Sequence, residues 1–429
     1  CVDEDGLYQA FERLGLIIID EEHESSYKSE NSPRYHARET AIHRAKLEGA
    51  RVILGSATPS MEAYYRAKEG EYVLVKLEAR FEERPLPRVS IIDMREQLKK
   101  GNRLALSLEL REDLSQCLKK GEQAMLFLNR RGYAGFVSCR SCGHVMKCPH
   151  CDVSLSEHNG RKLICHYCGY ETVKPDKCPV CSSPYIGGFK AGTQQIQQVV
   201  EKEFPEARVL RMDYDTTRAK GSYEKILSAF SRHEADILIG TQMIVKGHDF
   251  PDVTLVGILA ADLSLNADDY RSGERTFQLL TQAVGRAGRG RKEGHALIQT
   301  YSPDHYSIQT AAKQDYEEFY QEEMGYRLLM DYPPAAHMMA VLGSSEDEKL
   351  LETAMHYLGL FTGKIYAGKD LHVIGPAPAS VGKVKDVYRR VLYLKHENYD
   401  LLVRIKDRLE EYIEINSGFR KVNIQFDFS

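Results

Sequence analysis

Short apolar runs alternate with amphipathic stretches along most of the chain. Residues 16–19 and 51–54 predict two strands near the start, and residues 124–128, 208–212, 236–240 and 254–260 predict four more. Helical spacing of apolar residues predicts helices between them, at residues 40–48, 194–203, 223–230 and 274–284. Strands that alternate with helices favour a parallel sheet covered on both faces, so we expect an α/β fold.

Two regions depart from this alternation. Pro85 and Pro87 punctuate residues 80–105, which we expect to be a linker. After Tyr332-Pro333-Pro334 the pattern changes, and the remaining residues predict a small α+β domain in the order β-α-β-β-α-β. We therefore expect three parts, made of residues 1–80, 81–330 and 331–429.

The composition is that of an ordinary globular protein, because 42% of the residues are apolar and 28% are charged. Lys and Arg total 58 against 62 Asp and Glu, a net charge of -4, so any contact with a polyanion must come from local patches. No apolar run approaches the roughly 20 residues of a membrane span, and no signal-peptide pattern is present. We expect a cytoplasmic protein without membrane contacts, whose N-terminal part precedes Cys1.

Eight of the ten cysteines form four Cys-x-x-Cys pairs between residues 139 and 181. Zinc prefers four tetrahedral ligands, and one such pair supplies two thiolates on one side of the metal. Four pairs therefore predict two structural zinc sites, with no open position for catalysis. The spacing leaves open which pairs share a metal, and reduced core cysteines are the alternative. The pairs are Cys139/Cys142, Cys148/Cys151, Cys165/Cys168 and Cys178/Cys181.

Acidic and hydroxyl residues follow the first two predicted strands. Asp20-Glu21-Glu22-His23 ends the first strand, where carboxylates can hold Mg²⁺ and orient a water molecule. Gly55-Ser56-Ala57-Thr58-Pro59 ends the second, where small hydroxyl residues can sense a neighbouring acid or phosphate. A solvated acidic strand end and an ordinary capped turn are the alternatives.

Two further polar segments follow later elements. Gly240-Thr241-Gln242-Met243 continues to Gly247 and Asp249 just past a predicted strand. Gln282-x2-Gly285-Arg286-x-Gly288-Arg289 ends a predicted helix, where two guanidinium groups can bind phosphate. The alternatives are a glycine-containing loop and a basic helix C-terminus.

Taken in this order, the four segments resemble the motifs of superfamily 2 helicases. The four-pair cysteine insertion narrows the resemblance to the bacterial primosomal replication-restart helicases, the PriA family. The similar segments, which span nearly the whole chain, are LGLIIIDEEHESSYK, GSATPS, FLNRRGYA, GTQMIVKGHDFP and QAVGRAGRG.

The resemblance implies an architecture of RecA-like helicase lobes with parallel sheets. Residues 1–80 would be the C-terminal part of lobe 1, and residues 81–330 would be lobe 2. A two-zinc module would be inserted at residues 137–185, and residues 331–429 would form a DNA-binding domain. In the family the pairs are nested, so Cys139, Cys142, Cys178 and Cys181 would share one zinc, and Cys148, Cys151, Cys165 and Cys168 the other.

The resemblance also implies roles in nucleotide chemistry. Asp20 would hold Mg²⁺, Glu21 would orient the attacking water, and His23 would couple nucleotide state to DNA contacts. The remaining motif residues would be the linking pair Ser56 and Thr58, the cleft residues Gly247 and Asp249, the γ-phosphate sensor Gln282, and the arginine fingers Arg286 and Arg289.

DNA contacts are implied for three regions. The family's aromatic-rich loop stacks on bases and holds phosphates of single-stranded DNA, although a solvated surface loop is the alternative. A basic stretch in the C-terminal part would bind DNA, or would be an exposed strand edge. The residues are Thr241, the loop residues Tyr27, Lys28, Arg34, Tyr35 and Arg38, and the basic residues Lys383, Lys385, Arg389, Arg390 and Lys395.

The implied function is an ATP-dependent 3′-to-5′ DNA helicase that acts in replication restart and primosome assembly at stalled or branched forks. Its cofactors would be ATP, Mg²⁺ and two Zn²⁺. Its partners would be single-stranded and branched DNA, primosome proteins, single-strand DNA-binding protein and replicative helicase loading factors. No Gly-x4-Gly-Lys-[Ser/Thr] occurs in the 429 residues, so we expect negligible ATP hydrolysis by the chain alone. The alternative is a non-enzymatic zinc-containing scaffold that binds DNA and the primosome.

Overall fold

A computed structural model describes most of the chain, and it confirms the expected α/β class with a parallel sheet. Within the described ranges, no helix is both long and apolar enough to cross a membrane. The described residues are 13–29, 34–77, 85–128, 137–150, 153–158, 162–165, 168–187, 192–244, 250–267, 269–366 and 370–429.

The N-terminal unit (residues 13–77) contains two parallel strands that lie side by side. Ile17 and Ile19 are buried, whereas Leu16 and Ile18 on the opposite face are about half exposed. The predicted second strand is also half exposed rather than buried, because the described helices of this unit cover one face of the pair. The elements are β1 (Leu16–Asp20), α1 (Ala37–Glu48), β2 (Arg51–Gly55) and α2 (Met61–Lys68).

The expectation of a linker over residues 80–105 is wrong for residues 88–99. A strand and a helix form here, and the Asp93 carboxylate caps the helix by accepting a hydrogen bond from the Arg95 N–H at 2.8 Å. The two prolines precede the strand, and the strand has no fully buried residue, so its apolar signal is weak. The next elements are β3 (Arg88–Asp93), α3 (Met94–Lys99), α4 (Leu108–Lys119) and β4 (Gln123–Leu128).

A cysteine-rich module (residues 137–187) follows β4. Its strands have two or three residues each and pair antiparallel, so they form no core comparable to that of the main sheet. The strands are β5 (Ser138–Cys139), β6 (Ser156–His158), β7 (Lys162–Ile164), β8 (Glu171–Val173) and β9 (Ile186–Gly187).

The chain then returns to the central unit (residues 85–128 and 192–329), so the module is an insertion in it. The unit holds a six-stranded parallel sheet in the order β10-β11-β4-β12-β13-β3. The fully buried pattern of β4, β11 and β12 confirms the prediction of strands covered on both faces. The later elements are α5 (Thr193–Glu203), β10 (Val209–Met212), α6 (Ser222–Ser231), β11 (Ile237–Gly240), β12 (Val253–Leu259), α7 (Asp262–Leu265), α8 (Ser272–Val284), β13 (His295–Thr300), α9 (Tyr306–Lys313) and α10 (Tyr316–Leu329).

The C-terminal unit (residues 337–428) has the predicted β-α-β-β-α-β order. Its four strands form an antiparallel sheet in the order β15-β16-β14-β17, and its two helices share an apolar core with that sheet. The elements are β14 (His337–Ser345), α11 (Glu348–Ile365), β15 (His372–Val384), β16 (Val387–His396), α12 (Tyr399–Ile415) and β17 (Asn423–Phe428).

Helix α2 holds the N-terminal unit against the central unit. Met61 is fully buried in the apolar core that contains Phe277 of α8. The Tyr64 ring lies edge-on to the rings of Tyr316 and Tyr320 at 4.9 and 4.8 Å. These contacts fix where the end of β2 lies relative to α8.

Two helices begin with a histidine cap that requires a neutral ring. Nδ1 of His36 accepts from the Arg38 N–H at 3.3 Å, and Nδ1 of His305 accepts from the Ser307 N–H at 3.2 Å. Burial, followed by the charge of Arg38, lowers the pKa of His36 to about 4. Burial and the charge of Lys147 lower the pKa of His305 to about 4. Protonation would remove both acceptors.

We therefore predict that acidification destabilises the fold. Since both pKa values fall on folding, the stabilisation is complete above the ordinary histidine pKa of about 6.5 and is lost as the pH falls toward 4. The double variant His36→Asn, His305→Asn keeps capping side chains that do not titrate in this range. Thermal unfolding at about pH 7 and pH 5 should show a decrease in Tm that is smaller, by about 5 °C, in the variant. An equal decrease in both proteins would contradict this account.

Candidate functional site

The segment Asp20–His23, called the acidic box below, lies where β1 and β2 end side by side. Asp20 pairs with Gly55 in the parallel register, and the Glu22 N–H donates to the Gly55 carbonyl at 3.1 Å. Glu21 adopts a left-handed φ of 49°, and its N–H donates to the Asp20 carboxylate at 3.0 Å. Asp20 and Glu21 are both exposed at this edge. Two exposed carboxylates in succession at the end of β1 are suited to bind a hydrated Mg²⁺ and to orient a water molecule.

His23 connects the two strand ends with helix α8. Its side chain is only 3% exposed, and its Nε2 lies 2.9 Å from the amide nitrogen of Gln282. An amide nitrogen can only donate, so the ring carries its proton on Nδ1. Nδ1 lies 2.7 Å from Ser56 Oγ, which also accepts from the Thr58 N–H at 3.0 Å. One imidazole therefore joins the acidic box, the Ser56–Thr58 turn and α8.

The two arginines follow the C-terminal end of α8. The Arg289 Nε donates to the Gly285 carbonyl at 2.9 Å, which ties its side chain to the helix end. Gly288 has a φ of +67°, and a Cβ there would lie 2.5 Å from the Gly294 nitrogen. Only glycine allows this close approach of backbone segments. Arg286 and Arg289 thus lie four and seven residues beyond Gln282, in the segment that directly follows the helix bonded to His23.

Glu22, the buried member of the acidic box, forms an ion pair with Arg38. The Arg38 Nη1 lies 2.7 Å from a Glu22 oxygen, and Ser60 donates to the same carboxylate through its N–H at 2.6 Å and its hydroxyl at 3.0 Å. Burial lowers the pKa of Arg38, but the Glu22 carboxylate outweighs it and the net pKa is raised. Arg38 is 6% exposed and its guanidinium lies in the interior, so a DNA contact by Arg38 stays a prediction that would require this pair to open.

The described part of the predicted aromatic-rich loop contacts the C-terminal unit. Lys28 Nζ lies 2.7 Å from the Asp427 carboxylate, and Arg34 Nη1 lies 3.1 Å from it. Tyr27 donates its hydroxyl to the Asp20 carbonyl at 2.8 Å, and burial, followed by the Asp20 charge, raises the pKa of Tyr27. Tyr35 is half-buried against the core around α1. The loop therefore lies between the acidic box and β17.

The other predicted site residues have varied positions. Thr58 is 1% exposed beside Ser56, and Thr241 follows β11 at the carboxyl edge of the parallel sheet. Lys395 is 4% exposed and donates to the Met330 carbonyl at 2.9 Å, so it is not part of a basic surface. Gly247, Asp249 and Cys151 lie outside the described residues.

One cysteine group in the module has the geometry of a complete zinc site. The four sulfurs of Cys139, Cys142, Cys178 and Cys181 lie within 4.8 Å of one another, and two pairs lie at 3.6 Å. Zinc–sulfur bonds of about 2.3 Å in a tetrahedron give sulfur separations of about 3.7 Å. A disulfide would need about 2.05 Å, so these are separate sulfurs. Burial raises the pKa of the Cys178 thiol, but backbone N–H groups of Cys181 and Val180 bring it down to about 7.

A second cysteine group lies apart from the first. The sulfurs of Cys148, Cys165 and Cys168 also lie within 4.8 Å of one another, with Cys148 and Cys168 at 3.5 Å. The seven described cysteines of the module fall into the two groups that the family resemblance implies, with the outer pairs in one group and the inner pairs in the other. In the turn at Cys165 the Gly169 N–H donates to the Cys165 carbonyl at 2.9 Å, and Gly169 has a φ of 79°. The same bond, with a positive φ at the donor, recurs after Cys139 and Cys178.

Pattern reasoning did not identify several residues around the site. The sequence pattern places Glu22 in the acidic box but does not indicate its buried ion pair, because the partner Arg38 lies 16 positions away along the chain. Asp427 and Glu274 carry no local pattern that distinguishes them from surface acids. Arg327 lies in a helix rich in charged residues, and only the structure shows that it is fully buried.

Three family models match parts of the chain. The primosomal protein N C-terminal domain matches residues 329–428, and the Cys-rich region domain of PriA DNA helicase matches residues 148–172. The helicase conserved C-terminal domain matches residues 185–291. Replication restart protein PriA of Bacillus subtilis is 49% identical over 424 residues, which are 99% of this chain and 52% of that protein. The chain belongs to the PriA family.

Other PriA proteins match over similar ranges. Those of Synechocystis and Treponema pallidum are 43% and 37% identical over 94% and 97% of this chain, and over 50% and 64% of their own lengths. The chain thus spans about half the length of the Bacillus subtilis and Synechocystis relatives. Among solved structures, S. cerevisiae Dbp5 bound to RNA and ADP BeF3 covers 74% of this chain and 63% of its own at 13% identity. Its TM-score of 0.35 is too low to support an argument.

We predict that metal content follows the cysteine groups. Cys178→Ser removes one ligand of the complete group, so bound zinc should fall from about two to about one per chain, with a lower Tm. Cys117→Ser is the matched control, because Cys117 is buried outside the module and lies 3.7 Å from Thr254 Oγ1. Elemental analysis of the folded proteins gives the result. Unchanged zinc in Cys178→Ser, or equal loss in both variants, would argue against the assignment.

Proposed function

We propose that the chain is part of an ATP-dependent 3′-to-5′ DNA helicase that restarts replication at stalled or branched forks in the cytoplasm. It binds single-stranded and branched DNA. It also acts with primosome proteins, single-strand DNA-binding protein and replicative helicase loading factors. Asp20 holds Mg²⁺ on ATP, Glu21 orients the attacking water, and Arg286 and Arg289 stabilise charge on the transferred phosphoryl group. Gly247 and Asp249 take part in nucleotide binding, and Thr241 contacts the DNA backbone.

The single observation that carries this proposal is the bridge from Ser56 through His23 to Gln282. It links the carboxylates that would act on ATP to the helix that leads into the two arginines. Carboxylates and guanidinium groups on unconnected surfaces could not act on one phosphoryl group. His23 contacts both Ser56 and Gln282, so it can transmit a change at the nucleotide to the residues proposed to contact DNA.

The two cysteine groups support the structural half of the proposal. The first group offers four thiolates and no open position, so zinc there would shape the module and would take no part in hydrolysis. We propose the same role for zinc at the second group. The module packs on the C-terminal unit: Leu163 and Met338 share one apolar cluster, and a Cβ added at Gly169 would lie 3.7 Å from the Ala377 Cβ. Zinc would therefore hold a rigid platform beside the C-terminal unit for DNA or protein partners.

Hydrolysis is tested in a chimera, in which this chain replaces the matching half of the Bacillus subtilis relative. The chimera should hydrolyse ATP in a DNA-stimulated manner, and the 429-residue chain alone should not. Glu21→Gln should lower kcat about 10³-fold or more, since it removes the group that positions water. Glu24→Gln, an isosteric change three residues away, should retain kcat. Steady hydrolysis by the chain alone, or full activity of Glu21→Gln, would refute the assignment.

DNA binding by the loop is tested at Asp427. The Asp427→Asn variant frees Lys28 and Arg34 from their carboxylate partner. The affinity of the chain for single-stranded oligo(dT) should rise about three- to ten-fold, and the salt dependence should steepen by about 0.7 per added phosphate contact. Asp407→Asn, which changes the net charge equally on α12 of the same unit, is the control. Equal affinities for the two variants in fluorescence anisotropy would count against this role of the loop.

A further inference from the structure

A fully buried ion cluster lies where the three units of the chain meet. Arg327 of α10 is 0% exposed, and each of its terminal nitrogens has an acceptor. Nη2 lies 2.6 Å from Glu274, Nε lies 2.9 Å from Glu323, and Nη1 donates to the Pro333 carbonyl at 2.6 Å. One guanidinium thus binds α8, its own helix and the segment that enters the C-terminal unit.

The cluster also reaches the N-terminal unit through α2. The second oxygen of Glu274 accepts from the Met61 N–H at 2.9 Å. Glu62 lies 3.0 Å from Arg271 and 3.9 Å from Arg327. Burial alone would raise the pKa of Glu62, but Arg271 and Arg327 lower it well below its usual range. The first two residues of α2 are therefore held by Glu274 and Arg271 at the start of α8.

The position of Glu274 gives this contact leverage over the nucleotide end of the helix. Glu274 lies in the first turn of α8, and Gln282 lies eight residues later. A helix rises about 1.5 Å per residue, so a small tilt at Glu274 moves Gln282 and the arginines beyond it. The His23–Gln282 distance of 2.9 Å tolerates little displacement before the hydrogen bond is lost.

A simple packing role does not account for the choice of charged residues. Buried ion clusters carry a large desolvation cost, and apolar replacements of similar volume are often as stable or more stable. A planar guanidinium, however, fixes the directions of several partners at once. The requirement that fits is therefore geometric, because three acceptors on three segments must keep one arrangement.

We propose that Arg327 is a positioning residue for the nucleotide site, acting through Glu274 on α8. It couples the segment that enters the C-terminal unit to the placement of Gln282, Arg286 and Arg289. This inference rests on the proposed ATP-dependent function. It goes further by naming the contact through which DNA held by the C-terminal unit would alter hydrolysis.

The test uses the chimera and replaces the Arg327 guanidinium together with its two carboxylate partners. No buried charge is then left without a counter-charge. The triple variant Arg327→Met, Glu274→Gln, Glu323→Gln should remain folded, with a Tm close to that of the parent. DNA-stimulated kcat should fall about ten-fold or more, while KM for ATP stays within about two-fold, because binding groups are retained and their alignment is lost. Arg327→Lys keeps the charge but not the fork, and kcat should fall about five-fold.

Arg111→Met is the control, since Arg111 pairs with Glu203 at 2.9 Å and thereby joins α4 to α5 rather than to α8. It should leave kcat within about two-fold of the parent. Stable triple and Arg327→Lys variants with unchanged kcat would overturn the proposal. So would a loss of kcat that follows the loss of folded protein and recovers on cooling. A parent chimera without DNA-stimulated hydrolysis would instead refute the proposed function.

Discussion

The arrangement depends on one buried imidazole that bonds two different parts of the chain. His23 is held by Ser56 at the end of β2 and by Gln282 on α8, and the bond from the Gln282 amide leaves the ring proton on the nitrogen that faces Ser56. Parallel pairing of β1 with β2 brings the acidic box beside the Ser56–Thr58 turn. Docking of α2 on the central unit then brings α8 within reach. Without that docking, the acidic box and the arginines would belong to separate surfaces.

Charge is distributed to support this junction. The ion pair of Glu22 with Arg38 fixes the backbone of the acidic box. The pair of Arg327 with Glu274 fixes the start of α8. Among the described residues, no Lys or Arg forms an ion pair with the exposed carboxylates of Asp20 and Glu21, and the Glu21 carboxylate lies 3.5 Å from Nδ1 of His23. Buried pairs thus fix the backbone, and the groups left at the surface are those suited to a cation and to water. Burial separates positioning from chemistry.

The sequence was sufficient for elements with a strong local pattern. Buried strands of the parallel sheet, the cysteine pairs and the order of the C-terminal unit could all be predicted, since each follows from periodicity or spacing. The edge strand at residues 88–93 was missed because it has no fully buried residue and two prolines precede it. Arg38 and Lys395 looked like surface cations, because burial depends on partners distant in sequence. The contacts of Asp427, Glu274 and Arg327 likewise require tertiary structure.

The most direct test of the bridge is a double-mutant cycle in DNA-stimulated ATP hydrolysis by the chimera. His23→Ala and Gln282→Ala are measured singly and together. If the imidazole carries nucleotide state through this hydrogen bond, each single change removes the same link. The kcat of the double variant should then lie within about two-fold of the lower kcat of the two single variants. Multiplicative losses in kcat, with no interaction between the two positions, would contradict the account.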